Sequence, residues 1–206
     1  MKVRLHSVLK LTLTLISTVL VSGISPATAS PSSFRTSSLA LDLDLQLQLD
    51  ITRATTEVFD YFQGEWLGAG EFASGKRIEA NVSFNLELGG NWMIHRHIDK
   101  APNKFQSVAF WGVERNHQFL TMMLVDNFKN IREFRSTGFS DDTLVFEDVP
   151  QVTISSDDAT ARRRERFTFI KLKSDLFQMT YESNTNGQGW KLGDWILFQR
   201  QRKTSE

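Results

Sequence analysis

The chain has no cysteine among its 206 residues, and it has only four histidines and two tyrosines. Disulfide bonds, thiolate metal sites and cysteine nucleophiles are therefore excluded. The sequence also lacks the Gly-x-Ser-x-Gly motif of serine hydrolases, a phosphate-binding loop and the helical motif of zinc proteases. No catalytic residue is predicted from motifs, and binding of a ligand is the first functional expectation.

The one long apolar run is at the N-terminus, and it is too short for a membrane span. Three basic residues lie within the first ten positions, the apolar run covers 11–21, and four hydroxyl residues interrupt it. A bilayer crossing needs about 20 apolar residues. Ala27-Thr28-Ala29 has the small-x-small pattern that signal peptidase recognises. We therefore expect residues 1–29 to be a cleaved signal peptide and the protein to be exported, to the periplasm or outside the cell.

The charge of the chain is balanced. Residues 1–29 carry three basic and no acidic side chains, so the remaining 177 residues have a net charge of −3. A mildly acidic surface of mixed charges argues against binding to nucleic acid or to anionic lipid. No later segment approaches the length of a membrane span. The predicted partners include neither nucleic acid nor a bilayer.

Residues 30–53 form a low-complexity extension with an alternating pattern. Leucine or isoleucine occupies every second position from Leu39 to Ile51. Period-two alternation is typical of a strand with one apolar face. The alternative is an extension that stays mobile until it meets a partner. Both interpretations are open from the sequence.

Residues 54–206 are predicted to form one all-β domain, a single antiparallel up-and-down barrel of about ten strands with a short N-terminal helix. Thr55 and Thr56 can cap a helix that runs to Phe62 and ends at Gly64. Segments rich in aromatic and β-branched residues follow, separated by Gly, Asn, Asp and Pro turns. A sheet of that many strands removes its edges by closing. Strands are predicted near 64–73, 77–88, 92–99, 105–114, 118–126, 130–139, 143–148, 151–155, 160–172, 175–185 and 189–200.

The first predicted strand opens with a recognisable motif, Gly64-Glu65-Trp66-Leu67-Gly68-Ala69-Gly70. It resembles the Gly-x-Trp opening of the lipocalin and fatty-acid-binding-like (calycin) barrels. The longer form is similar to bacterial lipocalin-like barrels of unknown function and to the nitrobindins. The resemblance implies that the Trp66 indole covers the closed end of the barrel, with Arg200 or Arg202 from the last strand stacked on it. Its structural motif comprises Gly64, Trp66, Gly68, Gly70 and Arg200.

The same resemblance bears on cofactors. Nitrobindin-like barrels hold haem iron through a histidine close to the end of the chain. Residues 191–201 contain no histidine here, and none follows His117. We therefore expect no haem and no other cofactor.

His95 and His97 are the candidates for chemistry. They are two residues apart on a predicted strand, so they share a face. Zinc needs three or four ligands, and the only other histidine after residue 29 is His117, in a predicted turn. No metal site is predicted. We expect His95 and His97 to contact a ligand or solvent.

Two predicted strands, 105–114 and 118–126, are apolar on both faces, which suggests a lined lumen or an exposed patch. The leading hypothesis is a barrel that binds or carries a small apolar or amphipathic molecule in an extracytoplasmic space. The residues that line the lumen are predicted from the alternation of side chains along each strand. A shift of one residue would reverse which side chains face inwards. The predicted ligand-binding residues are His95, His97, Trp111, Arg135 and Tyr181.

Two other hypotheses stay open. One is a lipocalin-like cyclase, isomerase or hydrolase that uses His95 or His97 as a general base. A histidine hydrogen-bonded to a buried carboxylate in a deep lumen would favour it. The other is a protein-interaction module in which the Leu39–Ile51 segment adds a strand to the sheet of a partner. A lumen packed shut by its own side chains would favour that one.

Overall fold

A computed structural model describes residues 33–113, 119–149 and 163–202. One helix precedes eleven strands, and a short 3-10 turn, Leu88–Gly90, joins the second strand to the third. The elements are α1 (Ser33–Phe62), β1 (Gly64–Phe72), β2 (Arg77–Glu87), β3 (Trp92–Asp99), β4 (Gln106–Val113), β5 (Leu120–Asp126), β6 (Ile131–Ser136), β7 (Phe139–Ser140), β8 (Thr143–Asp148), β9 (Arg163–Lys173), β10 (Leu176–Thr185) and β11 (Lys191–Arg200).

The strands form a closed antiparallel barrel. Their order is β6-β5-β4-β3-β2-β1-β11-β10-β9-β8-β7, and a further pairing of β6 with β8 closes the ring. Ten strands make up the barrel, and the two-residue β7 pairs with β8 as an extra strand. The predicted fold class is confirmed, with strand bounds close to those expected. The predicted strand 151–155 lies outside the described residues.

The segment from Leu39 to Ile51 is helical, so its interpretation as a strand is wrong. α1 also begins more than twenty residues before the helix predicted from Thr55. A helix satisfies its own backbone hydrogen bonds, whereas a strand at this place needs a partner. At 3.6 residues per turn, alternate positions spread around the helix, and Leu43, Leu45 and Leu49 are exposed. Among the described residues, no helix combines the length and apolar content that a bilayer crossing needs.

The last turns of α1 fill one end of the barrel. Val58, Phe59 and Phe62 are buried there. The Phe62 ring lies 5.1–5.5 Å, centroid to centroid, from four aromatic rings of the barrel wall: Phe84, Trp111, Phe169 and Phe177. A fully buried side chain of this size stabilises the fold by about 1.5–3 kcal/mol. We call this the plugged end of the barrel.

Candidate functional site

A cavity of about 810 Å³ occupies the interior above the plugged end. Its deep wall is apolar and is formed by Phe84, Met122, Phe169, Phe177 and Phe198. The cavity extends to the turns that follow β1, β3 and β5, where Lys76, Lys104 and Phe128 line its mouth. Small-molecule sites in proteins have volumes of roughly 300–1,000 Å³, so the cavity is large enough for a ligand.

The alternation of β3 directs a row of polar side chains into this cavity. His95 and His97 are only 8% and 6% exposed, and both line the cavity together with Asp99. Residues two apart on a strand share a face, so the three side chains follow one another from the deep wall towards the mouth. The structure therefore places the two sequence-predicted histidines in the cavity wall.

His97 and Asp99 form a buried pair in that row. The Nε2 atom of His97 lies 2.8 Å from Oδ1 of Asp99. The carboxylate form of Asp99 can only accept, so Nε2 of His97 is the donor of this hydrogen bond. The rings of Phe105 and Phe198 flank His97, with centroids 5.5 and 6.2 Å away. The aromatic rings shield this pair from water.

His95 lies deeper in the cavity and has an unsatisfied nitrogen. Its ring stacks on Phe84 with centroids 4.4 Å apart and 6° between the planes. Its Nδ1 atom is buried and has no hydrogen-bond partner among the described residues. Burial, with the nearby charge of His97, lowers the pKa of His95 to about 3. His95 is therefore neutral at physiological pH.

Asp194 of β11 is a second carboxyl group in the cavity wall. Its backbone pairs with Phe72 of β1 and with Tyr181 of β10. No hydrogen bond or ion pair joins its side chain to any other described residue. Burial, together with the negative charge of Asp99, raises the pKa of Asp194 to about 7. The site thus holds two carboxyl groups close enough to affect each other.

A charged network also lines the cavity, with residues from β5, β6, β9 and β10. Arg132 contacts Asp126 at 3.0 Å and Glu165 at 3.2 Å. The Tyr181 hydroxyl donates to Glu165 at 2.5 Å and accepts a bond from Arg163 at 2.8 Å. Arg163 also contacts Glu165 at 3.1 Å. The two guanidinium groups are therefore neutralised by carboxylates of the same network.

Three members of this network have shifted pKa values, and the hydrogen bond to Tyr181 raises that of Arg163. Burial, helped by the hydrogen bond to Glu165, raises the pKa of Tyr181 to about 12. Burial alone would raise the pKa of Asp126, but hydrogen bonds from Asn130 and Phe128 lower it below its usual value. Tyr181 is therefore a neutral phenol and Asp126 an ionised carboxylate at neutral pH. Tyr181, the third sequence-predicted lining residue, is in the cavity wall.

Trp111 and Arg135, which were also predicted to line the site, lie elsewhere. Trp111 is inside the barrel but fully buried at the plugged end, 5.4 Å from the Phe62 ring and 4.9 Å from the Phe146 ring. Arg135 is on the outer face, where it contacts Glu133 at 3.2 Å. The inward face of β6 carries Arg132 instead. The prediction assigned the inward and outward faces of this strand the wrong way round.

The opening motif lies at the plugged end. Trp66 is buried, and its Nε1 donates a hydrogen bond of 2.7 Å to the carbonyl oxygen of Phe62. The Arg200 guanidinium carbon lies 4.1 Å from the centroid of the Trp66 ring. Arg202, the other basic residue considered, is exposed. The geometry is the one that the calycin resemblance implies for the tryptophan and the last strand.

The glycines of the motif permit close packing. A Cβ atom at Gly68 would lie 2.4 Å from Cε1 of Phe198, and one at Gly70 would lie 2.0 Å from the carbonyl oxygen of Trp195. Gly64 has a φ of +123°, which other residues rarely adopt. Each of the three positions therefore excludes a side chain for a local steric reason.

Sequence reasoning missed most of the charged residues of the cavity. Asp99 could have been found, because it is two residues after His97 on the same predicted strand. Asp126 and Glu165 are joined through Arg132, and Asp194 lines the same cavity, because closure of the barrel brings strands from distant parts of the chain together. Among the described residues, no group of three or more His, Cys, Asp or Glu side chains is arranged to hold a metal. His117 lies outside the described residues.

No protein-family model and no curated protein matches this chain. Similar solved structures include Rv2717c from M. tuberculosis, with 15% identity over 72% of this chain and 98% of that chain and a TM-score of 0.46. A protein of unknown function from the DUF3598 family of Nostoc punctiforme shares 9% identity over 69% of this chain, with a TM-score of 0.47. This chain spans about half of that protein, 49%. A de novo designed fluorescence-activating β-barrel shares 12% identity over 68% of this chain and 94% of its own, with a TM-score of 0.36.

The closed ten-stranded barrel is the architecture that the calycin resemblance implies. Membership of one family within that group stays a prediction.

Proposed function

We propose that this protein binds and carries a small apolar or amphipathic molecule inside its barrel, in an extracytoplasmic space. The observation that carries the proposal is the cavity of about 810 Å³ with an apolar deep wall and converging polar groups nearer the mouth. Apolar walls of this kind supply affinity, and a few placed polar groups fix the orientation of the ligand.

The size of the cavity supports a ligand over a packing defect. Protein interiors are packed as densely as organic crystals, and voids larger than a water molecule are few. An empty apolar cavity costs stability because the surrounding side chains lose contacts. The lining includes Val82, Leu124, Met179 and Ile196, side chains that larger residues could replace to fill the space. A cavity kept open at this cost is best explained by an occupant.

Native mass spectrometry of the processed protein, purified from its own source, tests the proposal. A retained organic molecule is expected. Leu124→Trp, which adds bulk to the cavity wall, should abolish retention, because Leu124 faces inwards. Met123→Trp is the matched control, since Met123 is the next residue of β5 and is 43% exposed. A protein that retains nothing and takes up no apolar or amphipathic probe would contradict the proposal.

The extracytoplasmic location depends on residues 1–29, which lie outside the described residues. Mass measurement of the intact protein from its source tests it. A chain that begins at Ser30 is expected after signal cleavage. A chain that retains residues 1–29 in the cytoplasmic fraction would overturn this part of the proposal.

A second candidate function is favoured by one observation, the buried 2.8 Å contact between His97 and Asp99 in the cavity. In the serine-protease triad a carboxylate holds the Nδ1 proton and leaves Nε2 as the base, whereas here Asp99 would hold the Nε2 proton and leave Nδ1 as the base. A lipocalin-like cyclase, isomerase or hydrolase would use His97 in this way. The test is conversion of the molecule that the protein retains. His97→Gln should abolish conversion and preserve binding, whereas the exposed control Arg96→Gln should preserve both.

The structure contradicts the specific form of the protein-interaction hypothesis, in which residues 39–51 add a strand to the sheet of a partner. Strand addition by residues 39–51 is wrong, because that segment belongs to α1. The lumen is also not packed shut by its own side chains. A general role in binding a protein partner stays a prediction without structural support.

A further inference from the structure

The cavity has an uncompensated acidic region, formed by Asp99 of β3 and Asp194 of β11. Both line the cavity, and the charge of Asp99 affects the titration of Asp194. The contact of Asp99 is with His97, and Asp194 has no ion pair among the described residues. We call these two residues the acidic pair.

The basic side chains of the cavity are engaged elsewhere. Arg132 and Arg163 are neutralised by Asp126 and Glu165 in the charged network. Lys76 and Lys104 lie in turns at the mouth. Lys76 Nζ lies 5.8 Å from the centroid of the Phe72 ring. Among the described residues, no lysine or arginine side chain contacts Asp99 or Asp194, so neither balances the acidic pair.

Aromatic rings surround the acidic pair. Phe105 and Phe198 flank His97, the hydrogen-bond partner of Asp99. Phe72 lies opposite Asp194 in the pairing of β1 with β11, and it too lines the cavity. The face of an aromatic ring attracts a cation, most strongly when water is excluded. Carboxylates and aromatic faces together are the elements that proteins use to bind organic cations.

The unsatisfied nitrogen of His95 points independently to an occupant. The side chain is more than nine-tenths buried, lines the same cavity and leaves Nδ1 without a partner among the described residues. A buried polar atom left unpaired destabilises the fold, because it has lost its hydrogen bonds to water. A polar group of a ligand, or water held beside it, would remove that cost.

We propose that the occupant is an amphipathic amine whose ammonium group lies between Asp99 and Asp194 and whose apolar part packs against the deep wall. This inference rests on the proposed function, because it names the chemical class of the ligand for the same cavity. The aromatic floor formed by Phe84, Phe169 and Phe177 takes the hydrocarbon.

The carboxyl groups of the cavity favour an ammonium head group over the other ligand classes. A carboxylate head group would face the acidic pair in a medium of low dielectric, where like charges repel strongly. A neutral apolar ligand would displace water from both carboxyl groups and supply no counter-charge. An ammonium group supplies the counter-charge and donates hydrogen bonds, and such charge-assisted bonds are the strong ones.

Isothermal titration calorimetry with three probes of equal chain length tests the inference. Decylamine, decanol and decanoate differ only in the head group, and each is used below its micelle concentration at pH 7.5. Decylamine should bind at least about tenfold more tightly than decanol, which corresponds to about 1.4 kcal/mol, and decanoate should bind most weakly. Asp194→Asn should bring decylamine to the affinity of decanol. Glu71→Gln, which removes an exposed carboxylate from the outer face of β1, should keep the preference.

The outcomes separate this inference from the proposed function. Equal binding of decylamine and decanol, or tighter binding of decanoate, overturns the amine and leaves a lumen that binds ligands. Failure of all three probes to bind, together with no retained molecule in the native protein, contradicts the proposed function itself. The comparison of probes needs no variant, so it stays decisive if Asp194→Asn disturbs folding. Leu124→Trp should weaken all three probes if they bind inside the barrel.

Discussion

Arg200 lies over Trp66 with its guanidinium carbon 4.1 Å from the ring centroid. Its two terminal nitrogens donate to the main-chain carbonyl oxygens of Gln63 and Tyr61, at the end of α1. A cation placed there also interacts favourably with the helix dipole. One side chain of the last strand thus joins the first strand and the helix that plugs the barrel.

Arg200→Lys should lower the free energy of unfolding by about 1–3 kcal/mol. Lysine keeps the charge, but it lacks the planar fork that stacks on the indole and reaches two carbonyl groups at once. Urea unfolding followed by tryptophan fluorescence measures the change. Arg202→Lys, in the exposed residue two positions later, is the control and should leave stability unchanged. Equal effects of the two substitutions would contradict the role of Arg200.

Asp194→Asn should make the stability of the protein less sensitive to alkaline conditions. The folded pKa of Asp194 is about 7, above the ordinary 3.8, so folding favours the neutral carboxyl group. This contribution is complete below about pH 4 and is lost as the pH rises to about 7 and beyond. With Asp99, Tyr181 and Lys76 in the same cavity wall unchanged, the variant should be more stable than the wild type by roughly 2–4 kcal/mol at pH 8.

Urea unfolding at pH 4.5, 6 and 8 measures the Asp194 effect. The difference between variant and wild type should grow steadily across this series. Glu71→Gln, at an exposed carboxylate, should show no such growth. A difference that is the same at all three pH values would show that Asp194 titrates normally in the folded protein.

His95→Phe should make the protein more resistant to acid. The folded pKa of about 3 lies below the ordinary 6.5, so the unfolded chain takes up a proton that the folded chain does not. The stability that depends on neutral His95 is therefore complete above about pH 6.5 and is lost as the pH falls towards 3. Phenylalanine keeps the stacking on Phe84 and cannot titrate, so the acid midpoint of unfolding should fall.

His95→Gln distinguishes the two effects of this histidine. It should also remove the acid sensitivity, but it keeps a polar group in the same place. His95→Phe should in addition raise stability at pH 7 by about 1 kcal/mol, because it eliminates the unpaired Nδ1 atom. Circular dichroism during acid titration measures both variants. An acid midpoint that neither substitution changes would contradict the prediction.

Gly68→Ala should destabilise the barrel by about 1–3 kcal/mol. The added methyl group would lie 2.4 Å from Cε1 of Phe198 and 2.8 Å from Cγ2 of Ile196, so the interior must shift to accept it. Phe198 lines the cavity, and decanol binding should weaken as well. Ala69→Ser adds one atom at the exposed neighbouring position and should affect neither property. Thermal unfolding and calorimetry provide the two measurements.

The strands could be predicted from the sequence because their signals are local. In β2 the alternation from Ile78 to Leu86 and the turns on either side specify both the strand and its inward face. The alternation of Leu39 to Ile51 is equally regular, yet that segment is a helix. A pattern of period two predicts a strand only where another strand is available to pair with it.

The site was less predictable because it depends on registers between distant strands. His95, His97 and Tyr181 line the cavity, as parity on their own strands indicates. Arg135 does not, because the prediction placed it on the inward face of β6, whereas it lies on the outer face. Glu165 forms an ion pair with Arg132 across more than thirty residues of sequence, and Asp99 of β3 influences the titration of Asp194 of β11. Such contacts follow from closure of the barrel and not from any local pattern.

Because α1 packs into the plugged end, the barrel is closed at that end and open only at the other. Under the proposed function, the ligand enters with its hydrocarbon first and leaves through the same opening, because α1 blocks the opposite end. The distance from the mouth of the cavity to Phe62 limits the length of the hydrocarbon chain that the cavity can hold. For a series of ligands that differ only in the length of the hydrocarbon chain, the affinity should therefore fall sharply beyond one chain length.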